Sequence, residues 1–525
     1  MSSDINTAIL RLKKRAETND RAYLASTFVD IGPLYTLLSN GDNQILFGRR
    51  GTGKTHILNY LADSVLENGD AIIQIDMRTI GSSGGIYADP NIPITERATR
   101  LLVDTLSEIH EGFVLYAVEN SSVVDLSVMG PALDNLADAI TQVAVIGTVE
   151  REESVGEKQN QKETTKLGID LKSSEIVTNF GIDSTVESQT DLMQRRKRTG
   201  VERPRVHFGS VGRALAAIMK HVTPKSAWVL LDEWSEIPLD LQPYLADLLR
   251  RTIFPVQGIV VKIAAIEQRC KFRIALEGTG YIGIELGADA ATSLNLDEFM
   301  VFDNDTERAK QFFAELLFKH VISTLPINSR AMISDLNSLL RQAFKQVSVF
   351  DEWVRAAEGV PRDAFNILAQ AAQRANENKI SISDIRIGAK TWYSRSKESV
   401  VADKPSAQLL LRWIIDEVIA HRQARAFLLR SDVHHELVDY LFDTRVIHVV
   451  KQNVSSHDQP GVRFNVYTID YGCYVDLINT TKAPRGLFEV EDEEGLGYVD
   501  VPNTDYRSIR RAILSLEEFQ QSLVS

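Results

Sequence analysis

Cysteine is nearly missing from this chain: Cys270 and Cys473 are the only two among 525 residues. Two thiols support neither a disulfide framework nor a zinc cluster, and so little cysteine is the default of a reducing cytoplasm. Long apolar runs are absent as well. No stretch approaches the roughly 20 residues of a membrane-spanning helix. The first residues are polar and carry no signal-peptide core, so no membrane partner is expected. Positive charge is in deficit: 58 Lys and Arg stand against 71 Asp and Glu, a formal net charge of −13. That argues against a protein coated in nucleic-acid-binding surface, although a local basic channel is still allowed. What is left is ordinary. With 44% hydrophobic and 25% charged residues, the chain is globular in composition, and its length suits about two to four domains.

Against that background one stretch stands out, Gly48-Arg49-Arg50-Gly51-Thr52-Gly53-Lys54-Thr55. It fits G-x-x-x-x-G-K-[ST], the phosphate-binding P-loop. The apolar run Ile45-Leu46-Phe47 precedes it as a short buried strand. From His56 to Asn68 the apolar residues Ile57, Leu58, Leu61, Val65 and Leu66 follow at helical spacing. Strand, glycine loop and helix form the context in which backbone N–H groups converge on phosphate oxygens at a helix N-terminus. Residues Gly48 to His56 are the expected nucleotide contacts. Lys54 is placed to reach the β- and γ-phosphates, and Thr55 to offer its hydroxyl to Mg²⁺. Far downstream, Trp228-Val229-Leu230-Leu231-Asp232-Glu233 is an apolar run ending in two carboxylates. It reads as a central parallel strand that delivers a Walker B pair to the carboxyl edge of the sheet. Asp232 is then the second metal residue, and Glu233 the general base for water.

The remaining pattern is an α/β domain followed by helices. Residues 71–76 and 258–266 read as buried strands and residues 292–302 as the last one. Helical spacing covers residues 5–24, 32–38, 95–117, 129–145, 206–221 and 239–252. Between about 150 and 200 lies an insertion. Its runs Leu167 to Leu171 and Ile176 to Ile182 fit a two-stranded ribbon; a disordered loop fits equally. The insertion ends in the basic run Arg195-Arg196-Lys197-Arg198. This run and residues 11–15 are read by default as solvated faces. From 305 to 400 strands vanish, and helices are expected over 309–325, 331–344, 349–357, 363–376 and 382–393. Beyond 401, helices over 407–429 and 432–442 precede two strands, 446–452 and 463–469. That order suggests a winged-helix-like domain with an acidic tail from Glu489 and a last helix over 506–523. The expected boundaries are 1–304 for the ATPase domain with its N-terminal helix, 305–400 for a helical lid and 401–525 for the winged-helix-like part.

The P-loop, the Asp232-Glu233 pair and the order of strands resemble the AAA+ P-loop ATPases. The helical region adds Gly359-Val360-Pro361-Arg362, similar to the sensor 2 motif of AAA+ lids. The layout is similar to the origin-recognition and clamp-loader-like branch, and to STAND-type signalling ATPases. The resemblance implies a P-loop parallel sheet with a helical lid, ATP and Mg²⁺ as cofactors, and hydrolysis between subunits of a homo-oligomer. By the same resemblance Arg362 reaches the γ-phosphate, and Glu267 and Gln268 occupy the sensor 1 tip, where Asn, Ser or Thr is commoner. Arg250, Arg251, Arg269 and Arg273 are the candidates for an arginine finger, and the residues do not choose among them.

DNA is a candidate partner. The candidate reading helix 431–442 is acidic, with Asp432, Glu436 and Asp439, and carboxylates repel phosphates. Protein partners suit that domain at least as well, and Arg195 to Arg198 is the better nucleic-acid candidate. The expected function is an oligomeric ATPase that remodels or loads something within a DNA-associated multi-protein system. The alternative is a nucleotide switch, as in bacterial defence, that recruits a separate effector protein.

Overall fold

The computed structural model describes residues 2–14, 21–30, 32–80, 85, 87–141, 143–146, 149–153, 194–198, 201–204, 206–222, 225–276, 278, 280–290, 293–297, 306–421, 424, 426–433, 435–455, 461–477 and 513–523. Its centre is a five-stranded parallel sheet. In spatial order the strands are Ser293–Asn295, Gln44–Phe47, Ile259–Ala265, Ala227–Asp232 and Ala71–Asp76. Parallel strands covered on both faces read as continuous apolar runs, and Ala227–Asp232 and Ile259–Ala265 are buried along their whole length. Alternate residues supply two separate cores. Leu46, Leu230 and Ala264 pack with Leu58 and Leu61 of the helix Lys54–Glu67. Ile45, Val229 and Ile263 pack on the opposite face with Leu106, Met129 and Leu215. These last three come from the helices Ile94–Glu119, Leu126–Ile140 and Phe208–Val222. The register pairs Asp76 with Asp232 and Phe47 with Ala265, so the strand ends lie side by side at one edge.

A helical lid follows, with helices Thr306–Thr324, Leu336–Ala343, Val347–Ala356, Pro361–Ala375 and Ile382–Tyr393. Trp353 is fully buried at its centre, edge-on to Phe313, and its indole N–H donates to the Ala364 carbonyl at 2.8 Å. The N-terminal helix, expected with the ATPase domain, packs on the lid instead. Ser2–Leu10 buries Ile5, Ala8 and Ile9, and Asn6 Nδ2 donates to the carbonyls of Asn376 and Asn378 at 2.6 and 2.9 Å. That helix ends at Leu10, well short of Leu24. A second helix, Arg21–Thr27, packs on Lys54–Glu67.

The last part combines the helix Pro405–Ile414, the helix Glu436–Asp443 and a three-stranded antiparallel sheet ordered Ala426–Arg430, Arg463–Ile469, Ile447–Ser455. The helical spacing expected to continue to 429 gives way to a strand. Phe427 and Leu429 face one core while Ala426 and Leu428 face another, the two-sided burial of a strand. Two further boundaries differ. The helix expected to reach 145 stops at Ile140, and Val143–Ile146 is a strand paired with Val201–Pro204. The strand expected over 292–302 spans only Ser293–Asn295. The possible ribbon at 167–171 and 176–182 and the acidic tail lie outside the described residues.

Two buried imidazoles give this fold a pH signature. Burial pushes His320, and burial with the Arg49 charge pushes His448, from 6.5 to about 4. Both are held neutral when folded, so the unfolded chain binds more protons. Their contribution to stability is complete above pH 6.5 and is lost as the pH falls towards 4. The urea midpoint should drop between pH 6.5 and 5, and the drop should flatten in the double variant His320→Asn/His448→Asn. An equal drop in that variant would show that these two groups are not its source.

Candidate functional site

The loop after Phe47 turns tightly because two of its residues adopt positive φ, Gly51 at +92° and Gly53 at +100°. Gly53 caps the helix Lys54–Glu67. Lys54 is buried, and its ammonium donates to the carbonyls of Gly48 at 2.8 Å and Arg49 at 3.1 Å. Burial lowers its pKa, opposed by the carboxylates of Glu233, Asp232 and Asp297. Thr52 closes the loop with a bond from its hydroxyl to the Arg49 carbonyl at 2.8 Å.

Thr55 Oγ1 donates to Asp232 Oδ2 at 2.6 Å. The two motifs found apart in the sequence are therefore in direct contact. Glu233 follows with φ +54°, a left-handed conformation that costs a non-glycine residue of order 1 kcal/mol or more. Its backbone N–H donates to Asp232 Oδ1 at 2.8 Å, and its side chain lines the cleft beside Lys54 and Thr55. Burial raises the pKa of both Asp232 and Glu233.

The lid closes the other wall. Pro361 stands at the start of its helix, where a missing N–H is harmless. The Arg362 N–H reaches the Gly51 carbonyl at 3.3 Å, and its side chain lines the cleft. A Cβ added to Gly51 would meet Arg362 Cβ at 3.0 Å and Val360 Cγ1 at 3.2 Å. Glycine is needed here for its φ and for this approach alike. The far end of the cleft is more apolar, with Leu24, Phe28, His56, His320 and Phe365. His56 Nε2 donates to the Leu24 carbonyl at 2.8 Å.

Not every predicted residue points into this cleft. Arg49 turns away from it. Its Nε binds Asp297 Oδ1 at 2.8 Å and its Nη2 binds the Glu358 carbonyl at 2.6 Å, while its backbone N–H donates to Asp297 Oδ2 at 3.0 Å. The Arg49 side chain is therefore a clasp between loop, sheet and lid. Arg50 lines the cleft and is ion-paired with Glu236. Glu267 accepts from Asn295 Nδ2 at 3.1 Å, and neither it nor Gln268 lines the cleft. The four finger candidates are engaged within the chain. Arg250 and Arg251 bind Asp247 at 2.8 and 3.1 Å, Arg269 binds Asp443 at 2.9 Å and Arg273 binds Glu285 at 3.0 Å. Arg195, Arg196, Lys197 and Arg198 lie on the strand Gln194–Arg198, paired antiparallel with Val149–Glu153.

Sequence reasoning missed three cleft neighbours. Arg78 lies beyond the end of its strand, doubly bound to Asp76 and 3.9 Å from Glu233 Oε1; a charged Asp-x-Arg after a buried strand was the available signal. Lys14, read as part of a solvated run, donates to Asn366 Oδ1 of the lid at 3.0 Å and lines the cleft with Lys13. Only the fold could bring those together.

Residues 12–267 match the ORC-CDC6-like family profile. Over this stretch the chain is similar to that family. No curated protein matches the chain. Among solved structures, the chain is similar to the Aeropyrum pernix Orc1 protein in complex with DNA, at 13% identity and TM-score 0.32, over 86% of this chain and 93% of that one. It is also similar to Drosophila ORC bound to DNA, at 9% identity and TM-score 0.32, over 88% and 92%. Superpositions this loose transfer no residue and no ligand.

The crowding at Gly51 gives a direct test. Gly51→Ala places a methyl group at positive φ against the lid, and should lower stability by about 1–3 kcal/mol. Denaturant unfolding reads this. An unchanged midpoint would mean that the lid does not close on the loop in this way.

Proposed function

We propose that the chain binds Mg-ATP in this cleft and hydrolyses it, as an oligomer, to drive remodelling or loading within a DNA-associated multi-protein system. The observation that carries this reading is the Thr55–Asp232 bond directly beneath a P-loop whose Lys54 and neighbouring Glu233 share one cleft. The residues fit the ligands. A loop with two left-handed glycines at a helix N-terminus offers backbone N–H groups to phosphates. Thr55 and Asp232 supply the oxygen ligands that a hard cation takes.

Each residue then has a task. Lys54 exchanges its loop carbonyls for phosphate oxygens. Thr55 and Asp232 would hold Mg²⁺, which when bound would neutralise charge on the phosphates. Glu233 orients water and takes its proton. Arg362, at the first turn of the lid helix, counters γ-phosphate charge and makes lid position a report of nucleotide state. The C-terminal part serves as a winged-helix-like docking module. Its helix Glu436–Asp443 suits a protein partner better than DNA, and the Arg195 to Arg198 strand is the DNA contact.

One observation favours a second reading, a STAND-like switch that recruits a separate effector. Arg269, a candidate finger, is directed at Asp443 of its own chain, as in a protomer that holds itself apart until triggered.

Four experiments follow from the first reading. Lys54→Ala should lose ATP binding in equilibrium titration; parental affinity would contradict the phosphate role. Glu233→Gln should bind ATP and turn it over at least about 100-fold more slowly. Wild-type turnover per protomer should rise and saturate with protein concentration if sites complete one another across an interface. A flat, near-zero rate with ATP bound supports the switch. Replacing Arg195 to Arg198 with Ser should weaken binding to duplex DNA and flatten its salt dependence; an unchanged slope would remove that strand from the DNA contact.

A further inference from the structure

The first turn of the lid helix Pro361–Ala375 carries two neighbouring charges with opposite surroundings. Arg362 lines the cleft. Asp363 points the other way and is only 3% exposed. It accepts from Lys397 Nζ at 2.8 Å and from Arg445 Nη1 at 3.0 Å. Lys397, 2% exposed, is also paired with Asp470, whose carboxylate lies 3.4 Å from His448 Nε2. Asp363 and Lys397 belong to the lid. Arg445, His448 and Asp470 belong to the C-terminal part, so a buried ion network joins the two directly behind the residue that faces the cleft.

Arg445 sits just past the helix Glu436–Asp443 with φ +63°. Left-handed backbone strains any residue with a Cβ, and glycine would occupy it without cost. An arginine there delivers a guanidinium to Asp363 despite the strain, a combination that clusters where geometry matters for function. The neighbouring backbone is pinned as well: the N–H of Val446 donates to Leu441 at 3.1 Å, and that of Asp470 to Val446 at 2.8 Å. Asp363 is therefore held by a hydrogen-bonded corner of the C-terminal sheet and helix. Arg362 is one residue away and touches the P-loop through its N–H.

We infer that Arg445 is a positioning residue for Arg362, so that the C-terminal part sets how well the cleft distinguishes a nucleoside triphosphate from a diphosphate. The inference rests on the reading of the cleft as an ATP site with Arg362 at the γ-phosphate. Arg445 touches no nucleotide in this scheme. It acts through Asp363, by fixing the first turn of the helix. Lys397 keeps Asp363 paired when Arg445 is replaced, so the carboxylate is not left as an isolated buried charge, which is the damaging case.

The test compares full-length wild type, Arg362→Ala, Arg445→Gly, Arg445→Lys and the double variant Arg362→Ala/Arg445→Gly. Affinities for ATP and ADP are measured by displacement of a fluorescent nucleotide, with thermal melting run alongside. Glycine keeps the left-handed backbone, so Arg445→Gly should fold. Arg445→Asn, which also tolerates that conformation, makes the same comparison if it does not. Loss of one charge-assisted contact is worth about tenfold. Arg362→Ala should therefore lower the preference for ATP over ADP about tenfold. Arg445→Gly should lower it several-fold with ADP affinity unchanged, the double variant no further than Arg362→Ala, and Arg445→Lys should restore part of it. A merely structural role for Arg445 would shift the melting temperature and leave the preference alone, which overturns the proposal. Additive losses in the double variant would overturn it too. If Arg362→Ala keeps the full preference, the sensor reading of Arg362 fails and the positioning role falls with it. If the wild type binds neither nucleotide, the ATP-site reading itself is what has failed.

Discussion

The bond from the Thr55 hydroxyl to Asp232 joins residues 177 positions apart in the chain, and most of the architecture serves to make it. It requires the strand Ala227–Asp232 to end level with Gln44–Phe47. It also requires one strand, Ile259–Ala265, to lie between them. The parallel sheet meets both conditions because its two central strands are buried on both faces and cannot shift register without exposing apolar side chains. The P-loop glycines then turn the chain so that the helix bearing Thr55 starts over the gap. Sheet register, loop conformation and helix placement are thus different aspects of one constraint.

The cleft was legible where chemistry sits in contiguous residues. Gly48 to Thr55 and Asp232-Glu233 declare themselves by spacing and by the strands before them, and the sheet strands follow from their apolar runs. Legibility ended where a side chain could go either way. Arg49 lies within the P-loop motif, yet its guanidinium faces Asp297 and the lid, and the identity of Arg49 gives no hint of that. Lys14 looked like one charge in a solvated run until the lid supplied Asn366. Ala426–Arg430 carries apolar residues that also satisfy helical spacing, and only pairing with Arg463–Ile469 decides for a strand. Short elements at domain junctions are fixed by tertiary partners, and those partners are distant in sequence.

Three bodies meet around the loop. Arg49 ties it to the end of the sheet through Asp297 and to the lid through the Glu358 carbonyl. Asp363 and Lys397 tie the lid to Asp470 and Arg445 of the C-terminal part, and Tyr471 adds a bond to Glu352. By contrast, Arg269 meets Asp443 in a half-exposed ion pair, and exposed pairs of that kind contribute about 0–1 kcal/mol. The lid and the C-terminal part thus share buried, multiply bonded contacts, whereas the contact of Arg269 with Asp443 stays open to solvent.

The N-terminal segment adds a mechanical consequence. Ser2–Leu10 packs on the lid, while Arg21–Thr27 packs both on the P-loop helix and on the lid helix Thr306–Thr324. Tyr23 meets His320 edge-on, and Lys319 Nζ donates to the Phe28 carbonyl at 2.5 Å. Leu24 and Phe28 also line the cleft. A segment wedged between two walls acts as a shim, so the cleft widens on that side only by breaking the contacts on one face of it.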